Sequence, residues 1–308
     1  MPDLNSDFLG VRFANPTLLA SGILGMTAAS MGSAIRNGAG GVITKSCNIA
    51  GRDGNANPKV ISYEGGLLNC YGLTNGGFVH EKEEIAVFKK DNPQHPLVFS
   101  IFGFSEKEFE EIASRVDETQ ADLCEINISC PNVQEEHGRP FGCVPGMPTK
   151  VIKAVKKHTK KPIIVKLSPN VVDIIEIAKE VEDAGADAIS AINTLGPGMV
   201  INIDARQPVL SAKMGGMSGP AIRPLAVRMV YQIYANVKIP IIGIGGITTG
   251  KDALEMIMAG ARLVQIGSGV YYRGISVFKR VTNEMEEWME KNKVGSLGEI
   301  VGAAHKGQ

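Results

Sequence analysis

The sequence predicts an α/β fold, a closed (β/α)8 TIM barrel with insertions at its C-terminal face. Three observations carry that expectation. Eight short apolar, β-branched runs recur along 308 residues, and helical patterns fill most of the gaps between them. Three of those helices also end in near-identical phrases: Asn37-Gly-Ala-Gly, Ala184-Gly-Ala-Asp and Ala259-Gly-Ala-Arg. In each phrase a glycine can take the left-handed conformation that stops a helix, and the chain turns directly into a strand.

The predicted strands are Thr17–Ser21, Gly41–Lys45, Leu97–Ile101, Leu123–Ile128, Ile163–Leu167, Ala188–Asn193, Ile241–Ile244 and Leu263–Ile266. Their near-continuous hydrophobicity is the mark of parallel strands covered on both faces. Predicted helices are Ala28–Asn37, Glu106–Thr119, Pro148–His158, Val172–Ala184, Ala221–Ala235, Lys251–Ala259 and Ser276–Lys291. The whole chain, 1–308, reads as one barrel domain. Two Gly/Asn-rich segments exceed the minimal unit: Cys47–Phe78 after the second strand and Thr194–Gly219 after the sixth. Both follow strands, so they belong at the face where barrel active sites are built, and they read as substrate-covering loops.

Composition excludes several classes. Lys plus Arg and Asp plus Glu both number 32, so the formal net charge is zero and no nucleic-acid footprint stands out. The one basic stretch, Lys156 to Lys161, reads as a solvated helix C-terminus, where cations suit the helix dipole. No apolar run reaches the roughly 18 residues of a membrane span, and the N-terminus does not read as a signal peptide. Five cysteines form no CxxC pair, which argues against a disulfide framework, an iron–sulfur cluster or a zinc site. A soluble protein of the reducing cytoplasm is expected.

The chemistry lies at the strand ends. Strand 1 ends in Ala20-Ser21-Gly22, strand 2 in Lys45-Ser46, strand 4 in Asn127-Ile-Ser-Cys130-Pro-Asn132, strand 5 in Lys166-Leu-Ser168 and strand 6 in Asn193-Thr194. Two lysines, several asparagines and a cysteine therefore converge on one barrel mouth. A lysine at the end of a buried strand is costly unless its ammonium meets an anion or several acceptors. Strands 7 and 8 end in Gly243-Ile-Gly245-Gly246-Ile247 and Gly267-Ser268-Gly269, turns that let backbone amides approach a phosphate. Cys130 sits on a loop beside that mouth, where nearby lysines could bring a thiol towards neutrality as base or nucleophile. Cys47, Cys70 and Cys124 read as small buried hydrophobes. Cys143 and His137 share the loop after Cys130 in no familiar metal pattern, and the Val133–Pro145 segment reads as a glycine-bearing lid.

These phrases resemble dihydroorotate dehydrogenases. The likeness rests on Asn127-Ile-Ser-Cys-Pro-Asn132, Lys166-Leu-Ser-Pro-Asn170, Asn69-Cys-Tyr-Gly-Leu73, Gly243-Ile-Gly-Gly-Ile247 and Ser218-Gly-Pro, and it spans nearly the whole chain. A cysteine in the SCPN phrase is similar to the soluble class 1 branch. Arg206-Gln-Pro-Val-Leu followed by Gly215-Gly-Met-Ser-Gly-Pro-Ala-Ile222 looks most like its NAD-linked subtype, 1B.

The resemblance implies FMN as cofactor and oxidation of (S)-dihydroorotate to orotate in pyrimidine biosynthesis. Cys130 would take the C5 proton, with Lys45 and Lys166 as the charged catalytic partners. Lys166 would stabilise charge developing on the flavin, and Lys45 would bridge flavin and the orotate carboxylate. Around the flavin the family places Ala20, Ser21, Ser46, Asn127 and Ile192, with Gly219, Gly245, Gly246, Gly267 and Ser268 towards the phosphate. Around the pyrimidine it places Asn69, Cys70, Tyr71, Gly72 and Leu73, then Asn127, Asn132, Asn193 and Thr194. One departure stands out: strand 3 ends in Phe99-Ser100-Ile101, where many relatives carry asparagine near the flavin, and serine reaches less far. Subtype 1B implies a homodimer or a heterotetramer with a second subunit carrying FAD and a [2Fe–2S] cluster, since this chain has no cluster motif of its own. Three alternatives stay open on the residues: a dihydropyrimidine dehydrogenase-like flavoprotein, a barrel lyase using Lys166 as a Schiff base, and a non-catalytic binder of a phosphate-bearing ligand.

Overall fold

The structure, a computed structural model, describes residues 2–129 and 141–306. Eight parallel strands close into a barrel in chain order: β1 (Thr17–Leu19), β2 (Gly41–Ile43), β3 (Leu97–Ile101), β4 (Leu123–Asn127), β5 (Ile163–Leu167), β6 (Ala188–Ala191), β7 (Ile241–Ile244) and β8 (Ala261–Ile266). The surrounding helices are α1 (Ala28–Arg36), α2 (Gly77–Asp91), α3 (Glu106–Val116), α4 (Met147–Lys156), α5 (Ile174–Asp183), α6 (Arg223–Tyr234), α7 (Gly250–Met258), α8 (Gly269–Arg273) and α9 (Val277–Lys291). The TIM barrel expected from the sequence is therefore the fold, and every expected strand lies in its wall.

Local chemistry starts the helices. Thr27, Ser105, Asp173 and Thr249 each accept a backbone N–H of the first turn of α1, α3, α5 and α7, an N-cap of about 1 kcal/mol apiece. The three repeated phrases end α1, α5 and α7 with Gly38, Gly185 and Gly260 at φ of 95°, 94° and 125°.

Because a strand alternates its faces, each barrel strand feeds two cores. Val42, Phe99, Cys124, Val165 and Val264 point outward and pack under the helices. Leu18, Ile43, Val98, Leu123, Ile164, Ala188, Ile242 and Leu263 form one apolar layer inside the barrel, closed from below by Phe8 and Phe13 of an N-terminal hairpin (Ser6–Phe8 with Val11–Phe13). Two residues further along the same strands the interior turns polar: Ser100, Glu125, Lys166, Ser190 and Gln265 are all buried. The apolar layer is a floor, and the polar layer above it is the base of the mouth.

Two expectations are corrected. The segments after β2 and β6 are not merely covering loops: Leu195–Gly198, Gly215–Ser218, Gly66–Asn69 and Val60–Tyr63 join, in that order, as one antiparallel sheet over the mouth. Its central pair aligns Gly216 with Asn69, so each insert completes the other's hydrogen bonding. Helix α2 fills a stretch for which the sequence reading had no element. Among the described residues no helix is long and apolar enough to cross a membrane.

Candidate active site

The strand ends and the insert sheet enclose a cavity of about 680 Å³. Ala20 and Ser21 line it after β1, Lys45 and Ser46 after β2, Asn127 from β4 and Lys166 from β5. Ile192, Asn193 and Thr194 follow β6, Gly245 and Gly246 follow β7, and Gly267 and Ser268 follow β8. Asn69, Cys70, Tyr71, Gly72 and Leu73 close it from the insert sheet and the turn after it. Gly219 stands just behind the wall, its carbonyl against Gly246. Cys130, Asn132 and residues 133–140 of the expected lid lie outside the described residues. Gly219 apart, the cavity thus brings together the flavin- and pyrimidine-side residues expected from the sequence that lie among the described residues, from strands more than 200 positions apart.

Its electrostatics are one-sided. Lys45 and Lys166 both line the cavity, and among the described residues no aspartate or glutamate does. Lys166 is 6% exposed, pinned on β5 between Asn127 of β4 and Ser190 of β6. The Lys45 ammonium stands 5.6 Å from the centre of the Tyr71 ring, which ties the barrel rim to the turn after the insert sheet. Behind Lys45, burial and the charge of Glu84 push the Glu81 carboxyl up to about 8, an effect Lys45 partly offsets. Cys47, buried nearby, has its thiol pushed far up by burial and by Glu81. Both it and Cys124, whose thiol burial also pushes up, are fully buried packing residues. Cys143 donates to the Asn170 carbonyl at 3.4 Å, and no metal-holding cluster of His, Cys, Asp or Glu occurs among the described residues.

Asparagine side chains are held by their neighbours. Asn127 Nδ2 donates to Ser46 Oγ at 3.0 Å, while its Oδ1 accepts from the Ser129 amide and hydroxyl at 3.2 and 2.9 Å. Asn193 Nδ2 donates to Ser129 Oγ at 2.7 Å, and Asn69 Nδ2 donates to the Gly216 carbonyl at 3.3 Å. Fixed amides of this kind suit a planar ligand with amide edges, because a rotating amide could not choose between donor and acceptor.

The far side of the cavity is built from backbone. Gly246 has φ of 71°, and a Cβ there would lie 2.7 Å from Arg223 Cβ and 2.8 Å from the Gly219 carbonyl. Only glycine satisfies both demands. The turn is locked by Asp252, which accepts from the Thr248 and Thr249 amides at 2.9 and 2.8 Å and pairs with Arg223. Burial pushes the Asp252 carboxyl up, but those hydrogen bonds and Arg223 outweigh it and hold the group below the usual aspartate range.

Reasoning from sequence missed Glu125, Ser190 and Gln265. Glu125 is fully buried inside the barrel, and Gln265, which lines the cavity, has its buried Oε1 without a hydrogen-bond partner among the described residues. The available signal was a charged residue within the otherwise apolar run Leu123-Cys-Glu-Ile-Asn127.

Fold and site together are those of a barrel enzyme with two lysines at its mouth and glycine turns after its last two strands. The family model for dihydroorotate dehydrogenase matches residues 3–289, and the chain belongs to that family. It is 44% identical over 305 residues to the dihydroorotate dehydrogenase B (NAD(+)) catalytic subunit of Methanocaldococcus jannaschii, covering 98% of each chain. The proteins of the same name from Methanothermobacter thermautotrophicus and Pyrococcus abyssi are 42% and 43% identical over 302 and 303 residues. Those matches cover 98% of this chain and 98% and 99% of the relatives.

Proposed function

We propose that this chain is a dihydroorotate dehydrogenase, oxidising (S)-dihydroorotate to orotate in pyrimidine biosynthesis with FMN as its cofactor and NAD as final acceptor. The observation that carries the reading is the cavity itself: two lysines, three fixed asparagines, a glycine-built far wall and no described acidic side chain. The residues present fit FMN. Gln265 Oε1 is a buried acceptor in want of a donor, and the turn at Gly246 has no room for a side chain. A barrel lyase acting through a Lys166 Schiff base is not favoured, because the family is that of dihydroorotate dehydrogenases.

FMN, when bound, supplies the ring that accepts the hydride leaving C6 of the substrate. Cys130 takes the proton from C5, so one proton and one hydride leave together with no other redox partner at this step. A thiol has an ordinary pKa of about 8.5, so its rate contribution rises with pH until the thiolate is fully formed. Lys166 holds a positive charge on the cavity floor, favouring the state in which the site gains negative charge. Lys45 and the amides of Tyr71, Gly72 and Leu73 bind the substrate carboxylate. Asn69, Asn127, Asn132, Asn193 and Thr194 orient the pyrimidine edges. Ala20, Ser21, Ser46 and Ile192 bound the flavin, with Gly219, Gly245, Gly246, Gly267 and Ser268 at the phosphate end.

As in the relatives named catalytic subunits, the chain is one part of a larger enzyme. The partner we propose carries FAD and a [2Fe–2S] cluster, and the barrels pair as a homodimer within a heterotetramer. Steady-state assays with dihydroorotate and dihydrouracil test the substrate: orotate formation with little turnover of dihydrouracil is expected, and preference for dihydrouracil overturns the assignment. Co-purification from the native host of a yellow complex with an iron-bearing second chain tests the partner.

A further inference from the structure

We propose that Glu125 is a positioning residue whose buried carboxylate sets the direction of a hydrogen-bond relay, turning Gln265 towards the flavin and the amides of Asn127 and Asn193 towards the pyrimidine. The inference rests on the dihydroorotate reading above and extends it to residues beneath the cavity wall. Glu125 lies on β4 inside the barrel, with no exposed surface. Its oxygens accept from Ser100 Oγ of β3 at 3.2 Å, Ser190 Oγ of β6 at 2.9 Å and Gln265 Nε2 of β8 at 3.0 Å.

Glu125 accepts from all three, so each neighbour spends a proton on it. Gln265 therefore turns its NH2 to Glu125, which leaves Oε1 as a buried acceptor with no hydrogen-bond partner on a residue that lines the cavity. Ser100 has a single hydroxyl proton and gives it to Glu125. In the Ser46–Ser100 contact at 2.9 Å, Ser46 must then be the donor. With its own proton spent, Ser46 Oγ can only accept, so Asn127 presents Nδ2 to it and Ser21 donates to it at 3.3 Å. Asn127 Oδ1 consequently faces Ser129, where a backbone N–H demands an acceptor from the other side. Ser129 Oγ gives its proton to that same oxygen, so it accepts from Asn193 Nδ2. Asn193 Oδ1 is thereby left for the Thr194 amide at 2.8 Å.

Every step has one allowed sense, set by Glu125 at one end and met by the Ser129 amide at the other. The two ends of the relay differ in what they offer a ligand. Asn127 Oδ1 already accepts twice, so Asn127 can offer the cavity only an N–H, which suits a pyrimidine carbonyl oxygen. Gln265 offers only a lone pair, which suits an N–H or O–H of the cofactor. Ser100, short for its place if it had to touch the flavin, has the right length to join Glu125 to Ser46.

The test uses the FMN-loaded enzyme and the variants Glu125→Gln, Ser100→Ala and the double variant, with orotate affinity measured by equilibrium dialysis and FMN affinity by titration of apoprotein. Glu125→Gln keeps the shape but points an NH2 at a neighbour that can no longer donate. Ser100→Ala cuts the relay while leaving the carboxylate in place. Each single variant is expected to weaken orotate binding by about tenfold, with melting temperature unchanged to within a few degrees. Glu125→Gln alone also weakens FMN, through Gln265. The double variant is expected to bind orotate no worse than the weaker single one, because both cut the same chain of bonds. Orotate affinity within twofold of wild type in both singles would overturn the proposal, as would losses that multiply in the double. If Glu125→Gln does not fold, Ser100→Ala decides by the same orotate criterion. A wild-type enzyme that neither binds orotate nor oxidises dihydroorotate refutes the functional reading instead, so the two failures are told apart.

Discussion

The two sides of the cavity are built by opposite means. Towards β2–β6 the wall consists of long polar side chains, Lys45, Asn127, Lys166 and Asn193, and neighbours fix the donors of the two asparagines. Towards β7 and β8 the wall is nearly bare backbone, and Asp252 fixes the turn by accepting amides from behind. Side chains discriminate between substrates, since each presents a definite donor, acceptor or charge. Backbone amides in a glycine turn recognise an anion of a given shape and leave no room for anything bulkier. The difference separates chemistry from retention: lesions on the first side should appear in rate and substrate affinity, and lesions on the second in cofactor binding.

The comparison breaks most severely at Lys166. Lys166→Met keeps the stem and removes the charge, and the rate of flavin reduction by dihydroorotate should fall about 10²–10³-fold, measured by anaerobic stopped flow. FMN content near wild type is the companion expectation. On the glycine side, Gly246→Ala places a Cβ 2.7 Å from Arg223 Cβ in a left-handed conformation, and FMN affinity should fall by about 10–100-fold in a fluorescence titration of the apoprotein. A loss in KM for dihydroorotate with FMN affinity intact would reverse the assignment of that wall. Asn193→Ala should raise the orotate Kd by about tenfold, roughly 1.4 kcal/mol, with FMN affinity unchanged.

The smallest expected effect lies behind Lys45. The Glu81 carboxyl has its folded-state pKa raised from 4.5 to about 8, so folding binds a proton there. Its contribution to stability is complete below about pH 4.5 and fades as pH rises through about 8. Glu81→Gln should therefore melt a few degrees above wild type at pH 9 and match it near pH 5. An equal melting temperature at both would mean that Glu81 is ionised in the native state.

The barrel was legible because its strands are short, β-branched and buried on both faces, and its helices announce their ends. The insert sheet was not. Gly66–Asn69 pairs with Gly215–Ser218 across about 150 residues, and glycine-rich strands of four residues carry no local periodicity. Helix α2 begins on Gly77 and carries seven charged side chains among fifteen residues, so only Phe78, Glu81, Ile85 and Phe88 of its longer side chains are buried. Its face towards the barrel is too sparse to read. Of the site, the strand-end residues were legible because strand position alone puts them at the mouth. Glu125 and Gln265 were not, because their role depends on partners from β3, β6 and β8 that meet only when the barrel closes.

The central claim is that this mouth moves a hydride and a proton from dihydroorotate, with Cys130 as the base. Anaerobic mixing with dihydroorotate at neutral pH, followed by flavin absorbance in wild type and Cys130→Ser, tests it most directly. The account predicts full bleaching with one orotate formed per flavin in the wild type. It predicts a rate lower by about 10²–10⁴-fold in the variant, at unchanged orotate affinity. A wild-type rate in Cys130→Ser, or a flavin that dihydroorotate does not bleach, would contradict it.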